Sequence, residues 1–279
     1  MAIDVGSAPH LGPGRTVSAD VACTVLAPTV LEYQVTLARV PGLEVRESLR
    51  LTVDGAPHPV HEVDGPHGAR IHRAHVSGGE AHLEYRADVT GRALPEPHDD
   101  YLHSLYLRPS RYAPVDRFFG FAGAQFPDLT TDAEKAIAVR EFVAQRLDYL
   151  PGVSTPLDGA AETLLASAGV CRDYAHLTVA LLRALKVPAR MTAVFAPGCD
   201  PMDFHAVAEA LVDGRWYVLD ATALAPRATM MRIATGRDAA DIAFLDNHGG
   251  SIRLDRLTVD ATAEFAAPPD DPTALVAMS

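Results

Sequence analysis

The chain reads as an α+β protein, and three observations carry that reading. Short alternating apolar runs, cut by turn signals, fill the first third. The apolar period turns helical in the middle. Strand-like runs return beyond Pro188.

Taken in order, residues 15–26, 30–39, 47–53, 70–76 and 81–89 carry alternating or β-branched apolar positions. Pro41-Gly42, Asp54-Gly55, Asp64-Gly65 and Gly78-Gly79 separate them as turn dipeptides. Strands this short and this closely spaced predict a β-sandwich. Residues 90–100, rich in proline and charge, form its exit. Thr131-Asp132-Ala133-Glu134 then offers a capping box, with Ala136, Val139, Val143 and Leu147 at helical spacing behind it. A short helix is expected over 160–168, ending at Gly169, and a third from Cys171 to Lys186. Strands follow at 190–196, 204–212, 215–220 and 252–259. The expected division is a β-rich domain at 1–113, a second domain at 114–262, and a flexible acidic, proline-rich tail at 263–279.

Composition excludes several functions. The 279 residues are 48% hydrophobic, enough for real cores. The formal net charge is −12, and lysine occurs only at Lys135 and Lys186. An acidic chain without a basic run is poorly suited to nucleic acid or to anionic membrane surfaces. No apolar run reaches the roughly 18–20 residues of a membrane span. Asp4 stands where a secretory leader wants positive charge, so a cytoplasmic location is expected. Cys23, Cys171 and Cys199 are too few and too widely spaced for a disulfide framework or a zinc site. Six histidines between His58 and His82 have no cysteine partner and are read as surface strand positions. There is no calcium loop, phosphate loop or Gly-x-Ser-x-Gly elbow. No metal and no cofactor is expected.

The chemistry concentrates in two places. Cys171 opens a helix anchored by Val179, Leu182 and Leu185. First-turn amides and the helix dipole favour a thiolate there. Downstream, Phe204 to Val212 alternates, Asp213-Gly214 is a two-residue turn signal, and Arg215 to Asp220 returns. That turn pairs 212 with 215, setting Asp220 against Val207 and His205 against Thr222. His205 and Asp220 are then diagonal neighbours on one face. The carboxylate can hold one imidazole nitrogen and leave the other for a thiol. Each residue alone has a plainer reading: a buried cysteine, a structural histidine, a turn-forming aspartate. Their conjunction favours a catalytic triad. Cys199, in a loop without a helix start, is the weaker rival nucleophile. His176 is read as a surface or supporting histidine.

Gly169-Val170-Cys171-Arg172-Asp173-Tyr174-Ala175-His176, Asp203-Phe204-His205-Ala206 and Trp216-Tyr217-Val218-Leu219-Asp220-Ala221-Thr222 resemble the bacterial transglutaminase-like family, relatives of microbial cysteine proteases. Residues 106–112 and 235–241 extend the likeness. The resemblance implies a papain-like core, a central helix bearing Cys171 against an antiparallel sheet bearing His205 and Asp220. Ala221 departs from the family's usual proline without removing a catalytic atom. The Cys171 amide is the natural oxyanion donor at a helix start, and Tyr149 is a candidate second donor. Arg172, Asp173 and Arg237 are candidate substrate contacts, although a solvated helix turn explains the first two and a loop salt bridge the third. The expected activity is thiol-dependent acyl transfer through a thioester, with hydrolysis of a peptide, protein or small amide preferred. Transfer to an amine and a non-catalytic scaffold are the alternatives.

Overall fold

The computed structural model describes residues 14–97, 99–264 and 270–278. In chain order the strands are β1 (Arg15–Ala27), β2 (Thr29–Tyr33), β3 (Leu43–Val53), β4 (Ala56–Pro57), β5 (His61–Asp64), β6 (Arg70–Val76) and β7 (Gly79–Gly91). The middle holds α1 (Asp100–Leu105), α2 (Phe119–Gln125), α3 (Asp132–Arg146), β8 (Asp148–Tyr149), α4 (Ala160–Ala166), β9 (Ala168–Gly169) and α5 (Cys171–Ala184). It ends with β10 (Ala189–Phe195), β11 (His205–Val212), β12 (Arg215–Leu219), β13 (Met231–Gly236), β14 (Leu245–His248) and β15 (Ser251–Ala263).

The amino-terminal strands build two antiparallel sheets, ordered β15-β1-β7-β3-β4 and β14-β2-β6-β5. Alternation in β1 buries Val17, Ala19, Val21, Cys23 and Val25, so Cys23 is a core residue as expected. The sandwich takes strands from both ends of the chain. β15 pairs with β1 and β14 with β2, so 245–263 belong to the sandwich and not to the second domain expected at 114–262. A thirteen-residue β15 supplies the edge that β1 would otherwise leave open. His72 is buried beside Glu62, and the His67 ring is buried between Glu96 and Tyr106, so these two are not surface histidines.

The catalytic sheet, so called for the candidate catalytic residue His205 that it carries, is ordered β12-β11-β10-β13. Helix α5 packs on it and is buried from Asp173 to Ala184 on every side. Leu177 and Leu181 are fully buried, and each contributes about 1.5–3 kcal/mol by leaving water. The expected capping box is present: Glu134 N–H donates to Thr131 Oγ1 at 3.2 Å, and Thr131 N–H donates to Glu134 Oε2 at 2.8 Å. The sandwich core runs on into Met191, Phe195, Met231 and Ile233 of the catalytic sheet.

The tail differs from expectation. Residues 265–269, with Pro268 and Pro269, lie outside the described residues, but 270–278 are docked. Arg227 is fully buried and organises them. Its Nε donates to both Asp270 carboxylate oxygens, at 3.0 and 2.9 Å. Its Nη1 donates to Val218 O and Ala274 O, and its Nη2 to Asp271 O. Val218 N–H donates to Val276 O at 2.8 Å, extending the free edge of β12. A buried guanidinium must be satisfied, and the tail supplies most of its acceptors. Arg227→Ala strands those acceptors and is expected to lower stability by about 3 kcal/mol or more. Urea unfolding midpoints measure this, and a loss under about 1 kcal/mol would show that the tail docks without Arg227.

Candidate active site

A parallel two-residue ladder sets up the nucleophile. β8 pairs with β9, Tyr149 against Gly169, which carries Tyr149 alongside the start of α5. Gly169 has no side chain because Asp173 leaves no room: a Cβ there would meet Asp173 Cβ at 2.6 Å. Asp173 turns back to accept from Val170 N–H at 2.9 Å, capping α5 as Cys171 begins it. Cys171 is half-buried, whereas Cys23 and Cys199 are buried.

The hairpin has the expected register, with Val212 opposite Arg215 and Ala208 opposite Leu219. Asp220, one residue beyond β12, reaches His205 at the start of β11. Nε2 of His205 donates to Asp220 Oδ2 at 2.9 Å. Asp220 Oδ1 accepts from Thr222 N–H at 2.9 Å and from Thr222 Oγ1 at 2.7 Å. Arg140 Nε donates to the Asp220 carbonyl at 3.0 Å. These Thr222 bonds fix the turn that follows Asp220. Cys171 and the His205 ring line the same cavity, and the thiol's charge acts on the imidazole.

Electrostatics favour a charged imidazole. Burial opposes it, but the Asp220 charge and hydrogen bond, with Cys171 adding to them, hold the His205 pKa well above its ordinary value. Burial pushes the Asp220 carboxyl up, yet His205 and Thr222 bring it below its ordinary value. The raised imidazole contributes stability that is complete below about pH 6.5 and is lost as pH rises through its folded value. The depressed carboxylate contributes stability above about pH 3.9 that is lost as pH falls through its folded value. The pair therefore stabilises the fold most between these limits.

Tyr149, the candidate second oxyanion donor, is carried by the ladder to the neighbourhood of Cys171. Burial, then the negative charge of a Cys171 thiolate, push its pKa to about 12, so it stays a neutral donor at ordinary pH. Cys171 and His205 open on a cavity of about 640 Å³, which Arg172 also lines. Arg172 is braced there by Asp173, Ser154 Oγ and Thr155 O. Two expected substrate contacts are corrected. Asp173 is fully buried, with its oxygens taken by Val170, Ser154 and Arg172. Arg237 lies outside the cavity lining, ion-paired to Asp241 at 2.9 Å.

Residues 121–221, which include Cys171, His205 and Asp220, match the Transglutaminase-like superfamily. The chain carries a transglutaminase-like domain. It is similar along nearly its whole length to the crystal structure of a "Putative Cysteine Protease" from Cytophaga hutchinsonii. That match has a TM-score of 0.86 and 28% identity over 94% of this chain and 96% of the other. Uncharacterized proteins of Mycobacterium leprae (26% identical; 50% of this chain, 53% of the relative) and Mycobacterium tuberculosis (28%; 48% and 50%) also match. The chain thus spans about half the length of these curated relatives.

His176, read as a surface or supporting histidine, is fully buried and supporting, and sequence reasoning missed the other supports of the site. Asp238 accepts from Tyr112 N–H at 2.8 Å, and the Tyr112 ring stacks on His176 at 5.0 Å. His176 is buried and accepts from Ala239 N–H, and burial lowers its pKa to about 4, so it is a neutral brace. Arg183 ties Arg108, Ser110, Ala189 and Arg237 together. The likeness of 106–112 and 235–241 to the family signalled these supports, but their partner was not nameable from the sequence. Among the described residues no helix is long and apolar enough to cross a membrane.

Two predictions follow from this geometry. Iodoacetamide is expected to label Cys171 before Cys199, whose thiol burial pushes up, and before Cys23. Peptide mapping against pH checks this, and faster labelling of Cys199 at neutral pH would move the nucleophile. Asp220→Asn is expected to keep the fold, lower the His205 pKa and slow acylation, while Cys171→Ala abolishes it. Imidazole titration by NMR, acylation rates and circular dichroism report on these separately. A folded, fully active Asp220→Asn would reduce the triad to a Cys–His dyad.

Proposed function

We propose that the chain is a cysteine hydrolase of peptide or amide bonds acting through a thioester on Cys171. The observation that carries this reading is the 2.9 Å His205–Asp220 bond beside Cys171 at a cavity large enough for a substrate. His205 takes the Cys171 proton, and the sulfur forms a bond to the carbonyl carbon. The Cys171 N–H and the Tyr149 hydroxyl are the donors we assign to the developing oxyanion. As the C–N bond breaks, the imidazolium gives its proton to the departing amine. Water, deprotonated by His205, then attacks the thioester, and the acid leaves as Cys171 recovers its proton. Asp220 holds the ring through both steps. Three free thiols favour a reducing compartment, and the cytoplasm is the location we assign.

Intact-mass analysis of the protein mixed with peptide thioesters, with and without added primary amine, tests the reading. The expected result is a transient acyl adduct on Cys171 that decays to free acid whether or not amine is present. Amide product in preference to acid would establish transfer instead, and no adduct on any cysteine would leave the scaffold alternative.

A further inference from the structure

The cavity that Cys171 and His205 line is largely apolar elsewhere. Met191, Phe204, Ile233, Ile242, Phe244 and Leu257 line it. Phe204 immediately precedes His205, and its ring meets Phe244 on one side and Phe195 on the other, each at 5.5 Å between centroids. Phe195 is fully buried, while Phe204 and Phe244 are half-buried. The ladder is therefore anchored in the core and ends in two rings open to the cavity. Leu257 and Gln34 come from the sandwich, so the wall exists only where the sandwich strands meet the catalytic sheet. Charge lies at the margins. Arg111 stands over the Tyr112 ring at 5.0 Å, and Asp203 and Asp246 also border the space.

We infer that the acyl donor presents a main-chain carbonyl whose own residue carries a large apolar side chain, aromatic or branched aliphatic, seated against Phe204 and Phe244. This rests on the proposed thioester chemistry at Cys171 and names its substrate class. A half-buried phenyl pair beside the nucleophile gains most when an apolar side chain displaces water from it. A glutamine side chain delivering its carboxamide to Cys171 would leave that wall wet. The same apolar wall gives a charged side chain no partner and costs it its water.

The test compares p-nitrophenyl esters of N-acetyl glycine, leucine and phenylalanine, with rates corrected for hydroxide reactivity and for a Cys171→Ala blank. N-acetyl-glutaminyl-glycine amide, with intact-mass readout, serves as the side-chain donor. The leucine and phenylalanine esters are expected to exceed glycine in kcat/KM by at least about tenfold. Phe244→Ala is expected to shrink the phenylalanine-to-glycine ratio to near one, and Phe244→Leu to restore most of it. Equal ratios for all three esters, or faster acylation by the glutamine carboxamide, would overturn this inference while leaving the Cys171 chemistry standing. Absence of any acyl-enzyme with every donor would overturn the proposed function and this inference with it.

Discussion

The turn at Asp213-Gly214 sets the register on which the site depends. Both residues have positive φ, 48° and 77°, a combination whose twist suits a two-residue hairpin. Slipping the pairing by one residue would turn Asp220 to the opposite face from His205 and separate the pair. A second register, that of β11 against β10 and the strand beyond it, is held by charge. Glu209 lies on the same face of β11 as His205 and is buried among Arg190 and Thr192 of β10 and Arg232 of β13. Burial raises the Glu209 carboxyl, but the two guanidinium charges bring it well below its ordinary value. A slip of β11 along β10 would unpair this carboxylate inside the protein, a cost of several kcal/mol. The turn thus aligns β11 with β12, and the ion cluster aligns β11 with the other side of the sheet.

Arginine carries the long-range order elsewhere. Arg183, Arg190 and Arg227 are among the largest fully buried side chains. Each spends its planar donors on backbone carbonyls or carboxylates from segments distant in sequence. Arg183 gathers the loops around 108–110 and 237, Arg190 joins Glu209 to Glu96, and Arg227 holds the tail on β12. Lysine offers a point charge and fewer donors, which fits a chain whose basic residues are nearly all arginine. The buried guanidinium groups thus tie the loops at 96, 108–110 and 237 and the tail to the β12-β11-β10-β13 sheet, beside an apolar core that already joins that sheet to the sandwich.

What was legible in the sequence was local. The capping box at Thr131 and Glu134, the helix start at Cys171 and the hairpin all depend on residues within about twenty positions of one another, and their geometry follows from period and turn chemistry. What was not legible depends on distant partners. Nothing in 245–263 says that these residues pair with β1 and β2 rather than with the catalytic sheet. Nothing in the tail says that Arg227 awaits it. Asp173 and Arg237 have the right types for substrate contacts, and only the structure shows that Ser154, Val170 and Asp241 already occupy them. The family resemblance supplied the fold of the core but could not separate residues that touch substrate from residues that brace those that do.

The choice among three thiols shows how position turns similar groups to different ends. Cys23 is buried in β1, with its thiol pushed up by the core around it. Cys199 feels the favourable charge of His205, but burial outweighs that attraction and its thiol is also raised. Cys171 alone combines partial exposure, a helix start and the imidazole, and it lines the cavity by which a substrate can arrive. Burial beneath the strand ends deprives the imidazolium of water, and Asp220 replaces that solvation with one fixed charge. The imidazole is therefore held charged and immobile together, and sandwich residues such as Leu257 and Asp246 complete the lining of the cavity it shares with Cys171.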